Sequence, residues 1–280
     1  MVPWAEAEAA VWMDYGDPEG LRALLAQNPQ VRWVQLPWAG VEAFAEAGMF
    51  DDDRLWTCGK GVYAEEVAEH ALALTLALLR ELPLRIRATS WGQRERGRTM
   101  FEMRVCILGG GGLTESMVRL FAPFGVDITV VRRSERALEG ASRVVPVERL
   151  HDVLPEADIL IVALALTPQT MGIVGARELE LLPDHAVLVN VARGRHVDTD
   201  AVVAAIRAGT LAGAGLDVTE PEPLPDDHPL FSLANVIVTP HCANTAEMGR
   251  PRLFARIAEN IRRYEAGEDL IGPVDLESGY

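Results

Sequence analysis

Short runs of β-branched and other apolar residues alternate with helix-like segments along most of this chain. The strand candidates are Arg32–Leu36, Arg104–Leu108, Asp127–Val131, Ile159–Leu164, Ala186–Asn190, Ala214–Val218 and Val236–Thr239. Most are continuously apolar rather than alternating, as expected for strands that are covered on both faces. Helix patterns at Leu113–Phe124 and Thr199–Ala208 lie between them. This order predicts a parallel sheet in an α/β fold.

Two longer helical segments interrupt this rhythm. Ala64–Arg80 is apolar nearly all round after its first turns, which predicts a buried helix, with a subunit interface as one candidate position. Thr245–Gly267 is amphipathic and is followed by the extended tail Leu270–Tyr280, which we expect to return to the first domain. The Arg- and Gly-rich stretch Pro83–Phe101 marks one domain boundary, and Gly267 marks a second.

Composition narrows the classes of function. The chain has 280 residues, which corresponds to about two domains of about 150 residues each. Its net charge of −15 disfavours binding to nucleic acid or a membrane surface, because both are anionic. Three distant cysteines and no metal-ligand spacing argue against a disulfide framework or a metal site, and favour a reducing cytoplasm. We expect neither a signal peptide nor a membrane span.

A glycine-rich turn follows the strand candidate Arg104–Leu108. Its spacing is G-x-G-x-x-T, from Gly109 through Gly111 and Gly112 to Leu113 and Thr114. In this arrangement Gly109 makes the tight turn, Gly111 lets the backbone approach a pyrophosphate, and the helix N-terminus binds phosphate. A glycine-rich turn alone is as often only a turn, but the strand before it and the helix after it favour dinucleotide binding.

The second strand of this unit ends in Arg132, Arg133 and Ser134. A site specific for NAD requires Asp or Glu here to bind the ribose 2′-hydroxyl. Two guanidinium groups and a hydroxyl are suited instead to a 2′-phosphate, which favours NADP. The alternative is a solvated strand end, with NAD as the cofactor.

Three further loops each follow a strand candidate and each contain polar residues. The first contains Arg193, the second contains Asp217, Glu220 and Glu222, and the third contains His241. Open α/β sheets bind their ligands at the carboxyl ends of the strands. Arginine, carboxylate and histidine together are suited to a 2-oxo acid, because the guanidinium binds the carboxylate and the histidine protonates the alkoxide.

These loops and the segment from Leu166 to Ile206 resemble the D-isomer-specific 2-hydroxyacid dehydrogenases, and within them the glyoxylate/hydroxypyruvate reductase branch. The shared motifs include ARGxHV, EPLP, the Arg-Ser pair and a closing VDxxxGY that ends at Gly279 and Tyr280. The resemblance covers the chain from about Arg32 onward, whereas the family's opening strand and helix are reduced. It implies a doubly wound Rossmann-type NAD(P)-binding domain at 92–266 and a smaller flavodoxin-like substrate domain at 1–91 plus 267–280, with the site in the cleft between them.

The resemblance also implies the roles of individual residues. Arg193 binds substrate and polarises its carbonyl, His241 is the acid/base group, and the Glu222 carboxylate keeps that histidine protonated, with Glu220 the less favoured choice. Asp217 orients the nicotinamide amide. The remaining assignments are Thr167 to the cofactor and the backbone of Trp38, Ala39, Gly40 and Val41 to the substrate carboxylate.

The resulting prediction is an oxidoreductase that transfers hydride from NADPH to a small 2-oxo acid and forms the D-2-hydroxy acid. It is predicted to be a homodimer built on Ala64–Arg80. Alternatives are an NAD-dependent dehydrogenase and a nicotinamide-binding regulatory protein on the same fold. For Trp91 the sequence leaves open a core position or an arm over a neighbouring subunit's pocket, and for His196 it leaves open a contact with cofactor or substrate. It favours a core or interface position for His70.

Overall fold

The computed structural model describes residues 6–14, 16–91 and 96–275. Packing divides the chain into two compact units, Met1–Tyr63 with Thr245–Tyr280, and Ala64–Asn244. In chain order the elements are β1 (Ala9–Val11), α1 (Pro18–Gln27), β2 (Trp33–Gln35), α2 (Glu42–Glu46), β3 (Leu55–Thr57), α3 (Ala64–Leu79), α4 (Leu82–Ile86), β4 (Arg104–Leu108), α5 (Gly112–Phe121), β5 (Asp127–Val131), β6 (Arg143–Val145), α6 (Leu150–Val153), β7 (Ile159–Val162), α7 (Ala176–Leu181), β8 (Val187–Asn190), α8 (Thr199–Ala208), β9 (Gly213–Leu216), β10 (Val236–Val238) and α9 (Ala246–Ala266).

The first unit contains a parallel sheet in the order β1-β2-β3. Helix α9 is fastened to this unit by a buried side chain, because Asn260 Nδ2 donates to Gln35 Oε1 at 2.9 Å. The C-terminal tail also returns here, as the sequence predicts: the Val274 N–H donates to the Trp56 carbonyl at 3.0 Å. The closing Gly279 and Tyr280 of the predicted motif lie outside the described residues.

The second unit contains seven parallel strands in the order β10-β9-β8-β7-β4-β5-β6. The sheet therefore starts at β4 in its middle and is wound outward in both directions, which confirms the predicted doubly wound Rossmann-type fold. Strands β7, β8 and β9 are buried along their whole length. One apolar cluster packs them against α7 and α8, and another packs the sheet against α3 and α5.

Apolar runs located seven of the strands. All seven predicted strands are present, most of them shorter by one or more residues, and α8 has the predicted bounds. The three strands that were not predicted, β1, β3 and β6, contain three residues each, as do the predicted β2 and β10, so strand length alone does not separate the two groups.

The two long helices, α3 and α9, lie in different units from the domains to which the sequence assigns them. Helix α3 belongs to the second unit, because its buried Ala71, Leu74 and Leu78 join the cluster that packs against the sheet. Helix α9 belongs to the first unit, where Asn260 also accepts from the Ile271 N–H at 2.8 Å. Within the described ranges, no helix is both long and apolar enough to cross a bilayer.

Candidate active site

Three loops of the second unit begin where β8, β9 and β10 end. These strands are neighbours and parallel, so their loops emerge at one edge of the sheet. Two of the loops touch directly: a Cβ added to Gly194 would lie 1.9 Å from the Thr219 carbonyl oxygen. Glycine is therefore required beside Arg193 because the backbones of the two loops are in contact there.

The loop that carries Arg193 is held from both sides by polar side chains. Asn190 at the end of β8 donates to the Arg193 carbonyl at 2.9 Å and accepts from the Ala192 N–H at 3.0 Å. His196 is fully buried; its Nδ1 accepts from the Arg193 N–H at 3.2 Å, and its Nε2 lies 3.2 Å from the Ala165 carbonyl. His196 therefore supports the backbone of Arg193 from within the core.

His241 and Glu222 form the pair that the resemblance implies. Nδ1 of His241 lies 2.7 Å from Oε1 of Glu222, and both side chains are about half exposed, at 49% and 43%. Glu220 points elsewhere, with its carboxylate 4.0 Å from Arg195. The contact with Glu222 fixes one nitrogen of the imidazole and leaves Nε2 as the nitrogen that can exchange a proton with a substrate.

Asp217 is the buried carboxylate behind this pair, and its side chain is only 2% exposed. Burial alone raises the pKa of a carboxyl group, but hydrogen bonds from His70, Thr239 and the backbone N–H groups of Ala243 and Cys242 outweigh this and lower the pKa of Asp217 to about 2. Asp217 therefore stays charged inside the protein.

His70 was missed by the sequence reasoning as a member of this site. Its Nε2 lies 3.0 Å from Oγ1 of Thr239 and 3.4 Å from Oδ1 of Asp217. The ligand atoms of His70, Asp217 and Cys242 all lie within 4.8 Å of one another, a donor set that could hold a metal ion. Sequence spacing could not reveal this set, because the three residues come from α3 and two separate loops.

The glycine loop after β4 matches the shape that a dinucleotide requires. Gly109 has φ of +117°, and a Cβ there would lie 2.3 Å from the Ala163 carbonyl oxygen, whereas a Cβ on Gly111 would meet only open space. Helix α5 begins at Gly112, followed by Leu113, and no side chain caps its first N–H groups. A pyrophosphate therefore fits beside these groups.

Thr114 replaces the third glycine of the motif and strengthens the turn. It is fully buried, and its hydroxyl donates to the Gly109 carbonyl at 2.9 Å.

The two arginines at the end of β5 have different surroundings. Arg132 is half-buried; its guanidinium donates to the carbonyls of Gly110 at 3.1 Å and Ser134 at 2.8 Å, and also to that of Arg136. A Cβ on Gly110 would lie 2.1 Å from Cδ of Arg132, so this glycine makes room for the arginine. Arg133 and Ser134 are exposed.

In the first unit, the residues predicted to bind substrate follow β2. Trp38 and Ala39 are exposed, whereas Gly40 and Val41 are buried. The Trp38 carbonyl accepts from the Gly59 N–H at 2.8 Å, which ties this loop to the one after β3.

Several other predicted residues have clear positions. The backbone N–H of Thr167 donates to Oγ1 of Thr170 at 2.8 Å in the loop after β7. Trp91 is 98% exposed, next to residues that the structure does not describe.

A doubly wound sheet with an open glycine loop, and a histidine–carboxylate pair at the neighbouring strand ends, are typical of nicotinamide-dependent dehydrogenases. Residues 71–243 match the family model described as D-isomer specific 2-hydroxyacid dehydrogenase, NAD binding domain. The chain belongs to this family. It is an NAD(P)-dependent oxidoreductase that acts on the CH–OH group of hydroxy acids.

Individual relatives place the chain near the predicted branch. A glyoxylate reductase of Aeropyrum pernix is 34% identical over 88% of this chain and 76% of its own length. A D-isomer specific 2-hydroxyacid dehydrogenase from Xanthobacter autotrophicus Py2 is 36% identical in sequence, and its crystal structure is in complex with NADPH and MES. The two structures superpose with a TM-score of 0.85 over 100% of this chain and 87% of that chain. An NADPH-dependent glyoxylate/hydroxypyruvate reductase of Sinorhizobium meliloti, in complex with NADP and sulfate, is 26% identical with a TM-score of 0.84, covering 98% and 87%.

Proposed function

We propose that this chain reduces a small 2-oxo acid, of the glyoxylate or hydroxypyruvate type, to the D-2-hydroxy acid with NADPH. The observation that carries the proposal is the 2.7 Å contact between His241 and Glu222, next to the loop that presents Arg193. The names of the relatives from Aeropyrum pernix and Sinorhizobium meliloti support the substrate class.

The proposed residue roles follow from charge and position. NADPH, when bound, supplies the hydride that adds to C2 of the substrate. Arg193 binds the substrate carboxylate and polarises the carbonyl, assisted by backbone N–H groups of residues 38–41. His241 donates a proton from Nε2 to the oxygen that becomes the hydroxyl, and Glu222 holds the imidazole in place through its 2.7 Å contact with Nδ1. Asp217 Oδ2 accepts one N–H at 3.0 Å from Ala243, which leaves it capacity for the nicotinamide amide.

We propose that the cofactor preference for NADPH over NADH depends on the exposed Arg133 and Ser134, which bind the 2′-phosphate. Arg132 contributes differently, because its guanidinium holds the carbonyls of residues 110, 134 and 136 and so fixes the loop against the glycine turn. The NADP(H) complexes of two relatives support this preference. Gly109, Gly111, Gly112, Leu113 and Thr167 line the rest of the proposed cofactor site.

We also propose that the enzyme is a homodimer built on α3 and its continuation into α4. The exposed apolar residues of this region support the proposal: Leu82 is 41% exposed, Leu84 42%, Ile86 80% and Trp91 98%. Sedimentation at several protein concentrations should give a dimer for the native chain. I86E should shift the chain toward the monomer, and a native chain that sediments as a monomer would refute the proposal.

The activity is tested by initial rates of NADPH or NADH oxidation with hydroxypyruvate, glyoxylate and pyruvate. The native enzyme should turn over with NADPH, and H241A should lose about 10²–10⁴-fold in kcat, the typical contribution of a positioned acid/base group. Binding of NADPH, followed by protein fluorescence, should persist in H241A. Binding of NADPH by the native chain without turnover of any of the three acids would contradict the proposal and favour a regulatory nicotinamide-binding protein.

A further inference from the structure

The loop that carries His241 is organised around one residue, Asp217. Three successive backbone N–H groups donate to it: that of His241 to the main-chain carbonyl at 2.8 Å, that of Cys242 to Oδ1 at 3.0 Å and that of Ala243 to Oδ2 at 3.0 Å. His241 itself has φ of +50°, in the left-handed region that a non-glycine residue adopts at a cost of about 1 kcal/mol or more. This backbone conformation therefore needs support from its surroundings.

The support extends from Asp217 to helix α3 through a short chain of hydrogen bonds. The hydroxyl of Thr239 donates to Asp217 Oδ1 at 2.6 Å. Because that hydroxyl proton is used, Oγ1 of Thr239 accepts from His70, whose Nε2 lies 3.0 Å away. His70 is anchored in turn, because α3 packs against β8 and β9 through Leu74 and Leu78.

We propose that His70 is a positioning residue for the acid/base His241, acting through Thr239 and Asp217. His70 fixes the direction of the Thr239 hydroxyl, this hydroxyl and the backbone N–H groups hold the Asp217 carboxylate in one orientation, and Asp217 holds the left-handed backbone of His241. The inference rests on the proposed function, because it assigns His241 the acid/base role. His70 itself need not touch substrate or cofactor.

The same donor set could hold a metal ion, but the hydrogen-bond pattern favours the positioning role. Oδ1 of Asp217 already accepts from Thr239 and from the Cys242 N–H. Burial and the neighbouring Asp217 raise the pKa of the Cys242 thiol, which disfavours the thiolate that a soft metal requires. A cation would have to displace bonds that are already made.

Two matched pairs of variants test the role of the hydrogen bonds. H70Q can keep an N–H donor at the reach of Nε2, whereas the shorter H70N cannot, and T239S keeps the hydroxyl that T239V lacks. H70N and T239V should each lower kcat about 10-fold, because a small displacement of an acid/base group is costly. H70Q and T239S should lie within about two-fold of the native kcat.

A second measurement does not depend on turnover. Amide hydrogen exchange, followed by mass spectrometry on the segment 239–243, should be slow in the native chain and about 10-fold faster in H70N and T239V, with thermal melts confirming that each variant is folded. Unchanged exchange in H70N, or an equal loss of kcat in H70Q and H70N, would overturn the role of His70. If the native chain turns over none of the acids, the proposed function fails, and the exchange data still decide whether His70 holds this loop.

Discussion

Two loops of the second unit are held in opposite ways. Residues 239–243, which carry His241, are held from the inside by a buried carboxylate that is 2% exposed. Residues 132–136, which we assign to the 2′-phosphate, are mostly exposed and are held by the guanidinium of one half-buried arginine. Under the proposed roles, the backbone that carries the acid/base group is supported from the core, whereas the cofactor preference depends on a surface loop that a few substitutions can change.

The two loops should therefore respond differently to substitution. A buried charge that loses its partners costs several kcal/mol, so the network around Asp217 responds as a unit. Exposed cations are screened by water and salt, so each contact in the other loop makes a smaller and more independent contribution. The variants below are ordered from the largest expected effect to the smallest.

The variant with the largest expected effect is E222Q, which changes the carboxylate in contact with His241. The amide keeps the shape of the side chain but removes the carboxylate that contacts Nδ1 of His241 at 2.7 Å, so we expect kcat for 2-oxo acid reduction to fall about 100-fold. E220Q serves as the matched control and should leave kcat unchanged, because the Glu220 carboxylate lies near Arg195 instead. A native kcat in E222Q would contradict the pairing.

The buried Asp217 carboxylate should make the free energy of unfolding depend on pH. Its folded-state pKa of about 2 lies below the ordinary 3.8, so Asp217 stabilises the fold above about pH 4 and loses this contribution as the pH falls toward 2. We expect D217N to lower the free energy of unfolding by about 2 kcal/mol at neutral pH. The difference from the native chain should narrow as the pH falls from 4 to 2.

Urea denaturation of both proteins across this pH range measures the difference. D158N provides a comparison at the opposite end of the strands, where Asp158 bonds Arg104 and His185. It should also destabilise the fold but leave kcat unchanged. A constant gap between D217N and the native chain at every pH would contradict the assigned pKa.

In residues 132–136, substitutions of the two arginines should affect the binding of NADPH and NADH differently. We expect R133A to raise Kd for NADPH about 10-fold, as for the loss of one charge-assisted hydrogen bond, and to leave Kd for NADH within about two-fold. R132M should weaken both cofactors by a similar factor of about five, because it loosens the glycine turn that binds the shared pyrophosphate. Fluorescence titration measures all four constants, and a loss confined to NADPH in R132M would reverse the two roles.

The smallest effect is expected at the glycine turn. T114V keeps the buried volume but leaves the Gly109 carbonyl without its 2.9 Å hydrogen bond, which should cost about 1 kcal/mol of unfolding free energy. T114S retains the hydroxyl and should recover most of that loss. Equal stability of T114V and the native chain in urea would show that the hydroxyl is dispensable.

Much of the site could be predicted because its motifs are local. The turn from Gly109 to Gly111, and the three polar loops after apolar strands, are each readable within a few residues. His70 was not predicted as a member of the site, because a lone histidine in an apolar helix is usually a core residue with its hydrogen bonds satisfied. The signal that could have found it was its place on the face of α3 that also buries Leu74.

The sequence by itself determined the α/β class, the glycine loop and the three polar strand ends, because hydrophobic run length, glycine spacing and turn chemistry act over short stretches of chain. The doubly wound order followed only from the resemblance to a known family. Only the tertiary structure decided that His70 meets Thr239, 169 positions away, and that Arg132 is occupied by backbone carbonyls while Arg133 lies exposed. Such partners depend on which elements pack together, and a local pattern contains no information about that.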